Sequence, residues 1–260
     1  MGKIQIGVSM LYCLGESFER MTSHLAEIAV SHIEIVDEGF HALNRKRALK
    51  LKGIAKTRGI RFSVHAPFAD INIASPSRCL LKAMVKRLEK SIQFAGFLEA
   101  DVWVFHPGLK TGISMFYPEA DWIQNCKTAE TLAKIAEKHG VRIAIENVPE
   151  PYPFLMKSVE HFKRFYSEVN SNIGLALDVG HANLNGQIEL FLRTFPNKIV
   201  HIHAHDNGGK EDEHLGVGRG TVDWKRFAEL LKEISYAKTV VVESMEHVQE
   251  SVERLKALLT

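Results

Sequence analysis

Along the chain, short β-branched or apolar runs alternate with longer stretches in which apolar residues return every three to four positions. The short runs predict strands at Lys3–Ser9, His32–Val36, Ile60–Val64, Asp101–Phe105, Val141–Ile145, Ile173–Leu177, Lys198–Ile202 and Lys238–Val242. The longer stretches predict helices. Ser77–Leu98 carries Leu80, Leu81, Met84, Val85, Leu88 and Ile92 on one face, and His247–Leu259 carries Val248, Val252, Leu255 and Leu258. Eight strand–helix units in alternation predict an α/β fold, a single (β/α)8 TIM barrel. No Pro/Gly/Ser-rich linker or long single-sign charge run divides the sequence, so residues 1–260 read as one domain. The rival architecture, an open doubly wound sheet, usually carries a glycine-rich phosphate turn after its first strand. The segment Ser9–Gly15 offers one glycine.

In such a barrel the active site lies at the C-terminal face, where strands end and the following loops begin. The residues that follow strands three to eight are His65 (in Ser63-Val-His-Ala-Pro-Phe68), His106 (in Phe105-His-Pro-Gly108), Glu146, Asp178, His203 and Glu243. A lone Glu at such a place is usually solvated, and a lone His is more often hydrogen-bonded than metal-bound. Three carboxylates and three imidazoles converging on one barrel mouth are different, because without a cation they repel or stay unsatisfied. Mixed imidazole and carboxylate donors suit Zn²⁺ or Mn²⁺, and suit neither Ca²⁺ nor a thiolate-seeking metal. Two loops extend the set. His181 follows Asp178 by three residues, and Asp212 and His214 alternate, so that in an extended segment both point toward one ion. Gly216, Gly218 and Gly220 lack the strand–turn–helix context of a dinucleotide fingerprint. They read instead as a loop backbone that folds close over the pocket.

The histidine count fits this picture, with 13 in 260 residues. His201 shares the strand face of His203 and reads equally as support behind it or as a satisfied interior residue; His205 is a looser candidate. His24, His32, His41, His139, His161 and His247 have no convergent partner in the sequence. Hydrophobic residues make up 45% and charged residues 25%, enough for a full-sized core without disulfides. The 33 basic and 31 acidic residues leave +2, so no global field points to a nucleic-acid or membrane partner. Cys13, Cys79 and Cys126 are odd in number and widely spaced, which reads as free thiols in a reducing cytosol. No apolar run approaches the roughly 18 residues of a membrane span. The opening MGKIQIGVSM lacks a cleavage signal, and Ile6 stands where a myristoylation motif wants Ser or Thr. A cytoplasmic location follows as the expectation, and nothing in the pattern excludes an oligomer.

The run His65-Ala-Pro, His106-Pro-Gly, Glu146-Asn, Asp178-x-Gly-His181, His203-x-x-Asp206, Asp212-x-His214 and Glu243 resembles the xylose isomerase-like TIM-barrel superfamily. That superfamily groups abasic-site endonuclease IV (AP endonuclease family 2) with sugar and sugar-phosphate isomerases and epimerases. The endonuclease branch implies up to three zinc ions. His65 and His106 would hold one, bridged by Glu146 to a second on Asp178, His203 and Glu243, with the third on His181, Asp212 and His214. The chemistry implied is hydrolysis of a phosphodiester or smaller phosphoester. The isomerase and epimerase branch implies one Zn, Mn or Mg ion on Glu146, Asp178, His203 and Glu243, with Glu146 and Glu243 as the acid/base pair. Because the single-ion reading leaves His65, His106, Asp212 and His214 without a required role, the hydrolase is the first expectation and the epimerase its alternative. Phe68, Asn147 and Arg219 are the candidate substrate contacts, and Phe116 and Tyr117 offer further stacking surface. Against abasic DNA stand an acidic loop, Val36-Asp-Glu-Gly-Phe-His41, and scattered cations at Arg45, Lys110, Lys210 and Arg219. A small phosphoester or a sugar therefore stands beside DNA as substrate. A non-catalytic binding barrel is the third class, in which Glu146→Gln would leave ligand affinity unchanged.

Overall fold

Each β-branched run does pair with its neighbours, and the ladder closes on itself. The computed structural model describes residues 3–259. The first two residues, part of the segment weighed as a targeting signal, and Thr260, the last of the expected domain, lie outside the described residues. The elements run β1 (Gln5–Ser9), α1 (Phe18–Glu27), β2 (His32–Val36), α2 (Arg45–Arg58), β3 (Arg61–His65), α3 (Arg78–Phe97), β4 (Trp103–Phe105) and α4 (Ala120–Lys138). They continue β5 (Ile143–Glu146), α5 (Val159–Glu168), β6 (Gly174–Asp178), α6 (Val179–Leu184), α7 (Ile188–Thr194), β7 (Ile199–Ala204), α8 (Trp224–Glu233), β8 (Thr239–Val242) and α9 (Val248–Leu259). All eight strands are parallel and form a closed barrel in sequence order, β8 pairing with β1. Among the described residues no helix is long and apolar enough to cross a membrane.

The period of two along each strand separates two interiors. Ile33, Ile35, Phe62, Val64, Trp103, Phe105, Ile143 and Ile145 face out and join the helices in the main core. The alternate residues face in. Val102, Val104, Ala144 and Ala176 make a small separate apolar cluster there. Each inward column then ends at the same face: Gly7–Ser9, Glu34–Val36, Ser63–His65, Val104–His106, Ala144–Glu146, Ala176–Asp178, His201–His203 and Val241–Glu243. Register sets Asp178 opposite His203, whereas Glu146 stands opposite Ala176, two residues before Asp178.

Strand bounds shift from those expected. Only His32–Val36 coincides; β1, β4 and β5 begin two residues later, and β3, β6, β7 and β8 one later. At the functional end His65, Glu146 and Asp178 are the last residues of their strands, not the ones after, and His203 lies inside β7. The reason is that the ladder continues through them, His65 pairing with Val36 and Asp178 with His203. The helix expected at Ser77–Leu98 has those two residues as its caps. Leu80, expected on its buried face, is 61% exposed. The first turns of α3 overlie the loop from β3, whose Asn72 N–H donates to Met84 Sδ at 3.0 Å, and its fully buried stripe begins at Leu88. The three cysteines are free.

The glycine-rich loop after β7 is pinned by Asp206. Its carboxylate accepts from the backbone N–H of Asn207 (3.0 Å), Gly218 (2.9 Å) and Val222 (3.1 Å) and from Trp224 Nε1 (2.8 Å). A Cβ at Gly220 would lie 2.2 Å from Asn207 O and 2.4 Å from an Asp206 oxygen, so only glycine lets the backbone come this close.

Candidate metal centre

The nine side chains singled out as ligands converge into three donor groups. His65 Nε2 and His106 Nε2 each lie 3.3 Å from Glu146 Oε2. His203 Nδ1 lies 3.3 Å from Glu146 Oε1, 3.3 Å from Glu243 Oε2 and 3.9 Å from Asp178 Oδ2. His181 Nε2 and His214 Nε2 each lie 3.3 Å from Asp212 Oδ2. Glu146 belongs to the first two groups at once.

The recurring 3.3 Å is informative. It is longer than a good N–H···O contact of about 2.9–3.0 Å. Two donor atoms about 2.0–2.1 Å from one tetrahedral ion stand about 3.3–3.4 Å apart, so these separations fit a divalent ion between them. Buried atoms without hydrogen-bond partners agree: His203 Nδ1, Asp178 Oδ2 and Asp212 Oδ1. The chemistry of the donors, imidazole and carboxylate without thiolate, suits Zn²⁺ or Mn²⁺.

The histidines are held from behind. His65 Nδ1–H donates to Ala66 O (2.9 Å), His181 Nδ1–H to Asn147 O (2.8 Å) and His214 Nδ1–H to Glu243 O (2.9 Å). A carbonyl only accepts, so the proton sits on Nδ1 and the Nε2 lone pair faces the centre. His214 has φ +47°, in the left-handed region. The 212–214 segment is therefore not the extended strand expected; Asp212 and His214 converge through a turn.

Electrostatics follow from the crowding. Burial would lower the pKa of His203, but Glu243, Glu34 and Glu146 hold it well above the usual imidazole range. Burial opposes the carboxylates in the same way at His65, pushed up to about 8, at His214, about 9, and at His181, about 10. For His106 burial wins over Glu146 and the pKa is lowered. The two glutamates separate. Burial would raise Glu146, yet His203 and His106 hold it well below the carboxylate range, while burial carries Glu243 above it.

A cavity of about 320 Å³ opens over the centre, lined by Leu11, Val36, Phe68, Pro149, Tyr152 and Phe154 together with all the donor residues except Asp178 and His203. Among the described residues no Lys or Arg lines it. Phe68 packs against His65 and His106, ring centroids 5.5 and 5.6 Å away. Asn147 does not reach the cavity. It is buried and clasps Asp178, its Oδ1 accepting from Asp178 N–H (2.7 Å) and its Nδ2 donating to Asp178 O (2.9 Å). Arg219 lies outside as well, paired with Glu250 at 2.7 Å. Phe116 and Tyr117 are exposed and do not line it. The loop read as acidic at the mouth spends its charges internally. Buried Asp37 takes Arg87 at 2.7 Å, and Glu38 accepts from the N–H of Phe68 and Ala69.

Several contributors escaped the sequence reading. Glu34 is buried directly beneath His203. His201 Nε2 and His203 Nε2 lie 2.9 and 3.0 Å from its two oxygens, at hydrogen-bond length though neither ring N–H points squarely at its oxygen. Its signal was available: a Glu alternating with the apolar Ile33 and Ile35 faces inward. His205, the looser candidate, stands 3.0 Å from Asp178 Oδ1 and joins the third donor group. Of the histidines left without a partner, His32 meets Ser63 Oγ at 3.1 Å, His24 meets Glu16 at 2.8 Å, and His161 completes the capping box of α5.

A family model described as xylose isomerase-like TIM barrel matches residues 23–258. An uncharacterised protein of Methanocaldococcus jannaschii is 34% identical over 93% of this chain and 84% of its own length. A D-psicose 3-epimerase of Ruminiclostridium cellulolyticum is 26% identical over 75% of this chain and 67% of its own. A probable endonuclease 4 of Aquifex aeolicus is also 26% identical, over 65% of each chain. Among solved structures, a D-tagatose 3-epimerase-like protein superposes with a TM-score of 0.93 at 32% identity, covering 98% of this chain and 97% of that one.

Proposed function

The chain belongs to the xylose isomerase-like TIM barrel family, and from that premise we propose that it is a metal-dependent epimerase or isomerase of a neutral sugar. The observation that carries this reading is the pairing of Glu146 and Glu243 at 3.3 Å on either carboxylate's side of His203 Nδ1, beneath a cavity without Lys or Arg. A phosphorylated substrate or a DNA backbone is normally met by such cations. The volume of about 320 Å³ sits at the small end of the ~300–1,000 Å³ typical of small-molecule sites. The likeness to sugar epimerases supports the same choice. It reverses the order expected from counting ligands.

Glu146, Asp178, His203 and Glu243 would hold a divalent ion, whose chemistry when bound is to polarise a carbonyl oxygen and acidify the neighbouring C–H. The Glu146 carboxylate, held ionised, takes the proton from one face of that carbon. Glu243, on the other side of His203 Nδ1, returns a proton from the other face. One C–H bond breaks and one forms, so the configuration inverts with no change in formula. Phe68, Tyr152 and Phe154 give the cavity an apolar wall. The test is incubation of the metal-loaded protein with a panel of ketohexoses in D₂O. Deuterium at the carbon beside the carbonyl is the expected result, and its absence across the panel overturns the reading.

A second reading, phosphoester hydrolysis at two or three ions, is favoured by one observation. His65 with His106, and His181 with His214, repeat the 3.3 Å spacing around Glu146 and Asp212. It predicts three ions per chain and cleavage of a simple phosphodiester or of abasic-site DNA.

A further inference from the structure

Three of the histidines whose Nε2 faces the centre take their backing from backbone carbonyls. His203 is turned the other way. Its Nδ1 faces Glu146 and Glu243, and its Nε2 faces a side chain, Glu34, 3.0 Å away. Glu34 sits at the middle of β2, wholly buried, one inward step below Val36 of the cavity wall. Its other oxygen meets His201 Nε2 at 2.9 Å, and His201 is 1% exposed. Glu34, His201 and His203 form a fourth donor group whose ring N–H groups are not squarely aligned with the oxygens, but both contacts are clearly shorter than the 3.3 Å that recurs at the other three, a length that suits N–H···O contact better than an ion among them.

We propose that Glu34 is a positioning residue: it holds the proton of His203 on Nε2 and the ring in place, so that the Nδ1 lone pair is presented to the metal, while His201 anchors the opposite oxygen. An ionised carboxylate only accepts, so both imidazoles must turn an Nε2–H toward it. For His203 that leaves Nδ1 unprotonated, the form a metal requires. A backbone carbonyl does this for His65, His181 and His214, but the inward face of β7 has no such carbonyl at hand, because its carbonyls are engaged in the ladder with β6 and β8. His201 explains why the support is a pair and not a single carboxylate. An unanchored Glu34 side chain has three rotatable bonds, and the His201 contact fixes them.

The inference rests on the metal-holding part of the reading above and on no particular substrate. Its test is the dissociation constant for Zn²⁺ and Mn²⁺, measured well below the melting temperature in wild type, Glu34→Gln, His201→Leu and His201→Gln. Losing such backing from a ligand typically weakens metal affinity by about 10–100-fold. That loss is expected in Glu34→Gln, whose amide cannot accept from both rings. His201→Leu is expected to weaken binding too, and His201→Gln, which keeps a donor, to recover most of it. The ¹⁵N spectrum of zinc-loaded wild type is expected to show His203 protonated on Nε2 and coordinated through Nδ1. A lowered melting temperature with unchanged metal affinity would reduce Glu34 to a structural role and overturn the proposal. Should Glu34→Gln fail to fold, coordination of His203 through Nε2 in wild type overturns it equally. A wild type that takes up no divalent ion overturns the reading above as well, so the two failures are distinguishable.

Discussion

Glu146 and Glu243, carried on strands three apart around the barrel, each place a carboxylate oxygen 3.3 Å from one atom, His203 Nδ1. Ser9 Oγ–H donates to the second oxygen region of Glu243 at 3.2 Å, whereas Glu146 is surrounded by imidazoles. The two carboxyls thus sit in unlike environments although they share a neighbour. Glu146→Gln and Glu243→Gln are each expected to lower kcat by about 10²–10⁴-fold, the usual worth of a positioned acid or base. The check is deuterium exchange followed by NMR at saturating sugar. Glu146→Gln is expected to loosen the His65–His106 group as well, since Glu146 Oε2 is its carboxylate donor, and Glu243→Gln to leave that group intact.

Metal content separates the two enzymatic readings. Elemental analysis of purified protein is expected to find one tightly held ion per chain; three at full occupancy would transfer support to phosphoester hydrolysis. Removing the ion leaves Glu146, Asp178, Glu243 and His203 buried together without a cation. A ligand at a hundredfold excess over its Kd stabilises by about 2.7 kcal/mol. For a domain of this size that corresponds to roughly 5–10 °C in melting temperature. Scans with and without a chelator read this directly.

Opposite pH trends are expected for the metal-free and loaded protein. In the metal-free state neighbouring carboxylates raise His65 to about 8, His214 to about 9 and His181 to about 10, from an ordinary 6.5. A raised imidazole contributes stability that is fully present below pH 6.5 and is lost as the pH climbs through its folded value. Metal-free protein is therefore expected to lose melting temperature between about pH 6.5 and 10. Loading must displace the proton of His203, which the same carboxylates hold well above the usual imidazole range, so metal affinity rises with pH while the metal-free fold weakens. Calorimetric titration near pH 7 in buffers of different ionisation enthalpy counts the protons released; none released would contradict the assignment.

How much of this was legible in the sequence depends on which interaction decides each feature. Strand ends bearing His65, His106, Glu146, Asp178, His203 and Glu243 stand out because charged groups interrupt apolar runs, and the barrel follows from eight such runs. Glu34 is less legible because it lies mid-strand, where only the alternation with Ile33 and Ile35 marks it. Asn147 and Arg219 sit beside motif residues, but nothing local says that Asn147 turns back to clasp Asp178 or that Arg219 reaches Glu250 on α9. The acidity of Asp37 and Glu38 was neutralised by partners 50 and about 30 residues away, Arg87 and the Phe68–Ala69 amides, which only tertiary packing reveals.

Gly180 offers a test of packing at the third donor group. It lies in the first turn of α6, where alanine would ordinarily be about 1 kcal/mol better than glycine. A Cβ there, however, would stand 2.0 Å from His205 Cε1 and 2.4 Å from its Nδ1. The ring is not free to yield. It is wholly buried, its Nε2 is 3.0 Å from Asp178 Oδ1, and it stacks on His214 with centroids 3.8 Å apart. Overpacking of this kind costs about 1–3 kcal/mol, enough to exceed the helix preference. Gly180→Ala is expected to lower the melting temperature by several degrees and to weaken metal uptake through Asp178 and His214. In a His205→Ala background the added methyl group meets no ring, and the same substitution is expected to be neutral or stabilising. Thermal melts of the two singles and the double variant give the coupling; equal effects of Gly180→Ala in both backgrounds would mean that His205 is not what the glycine accommodates.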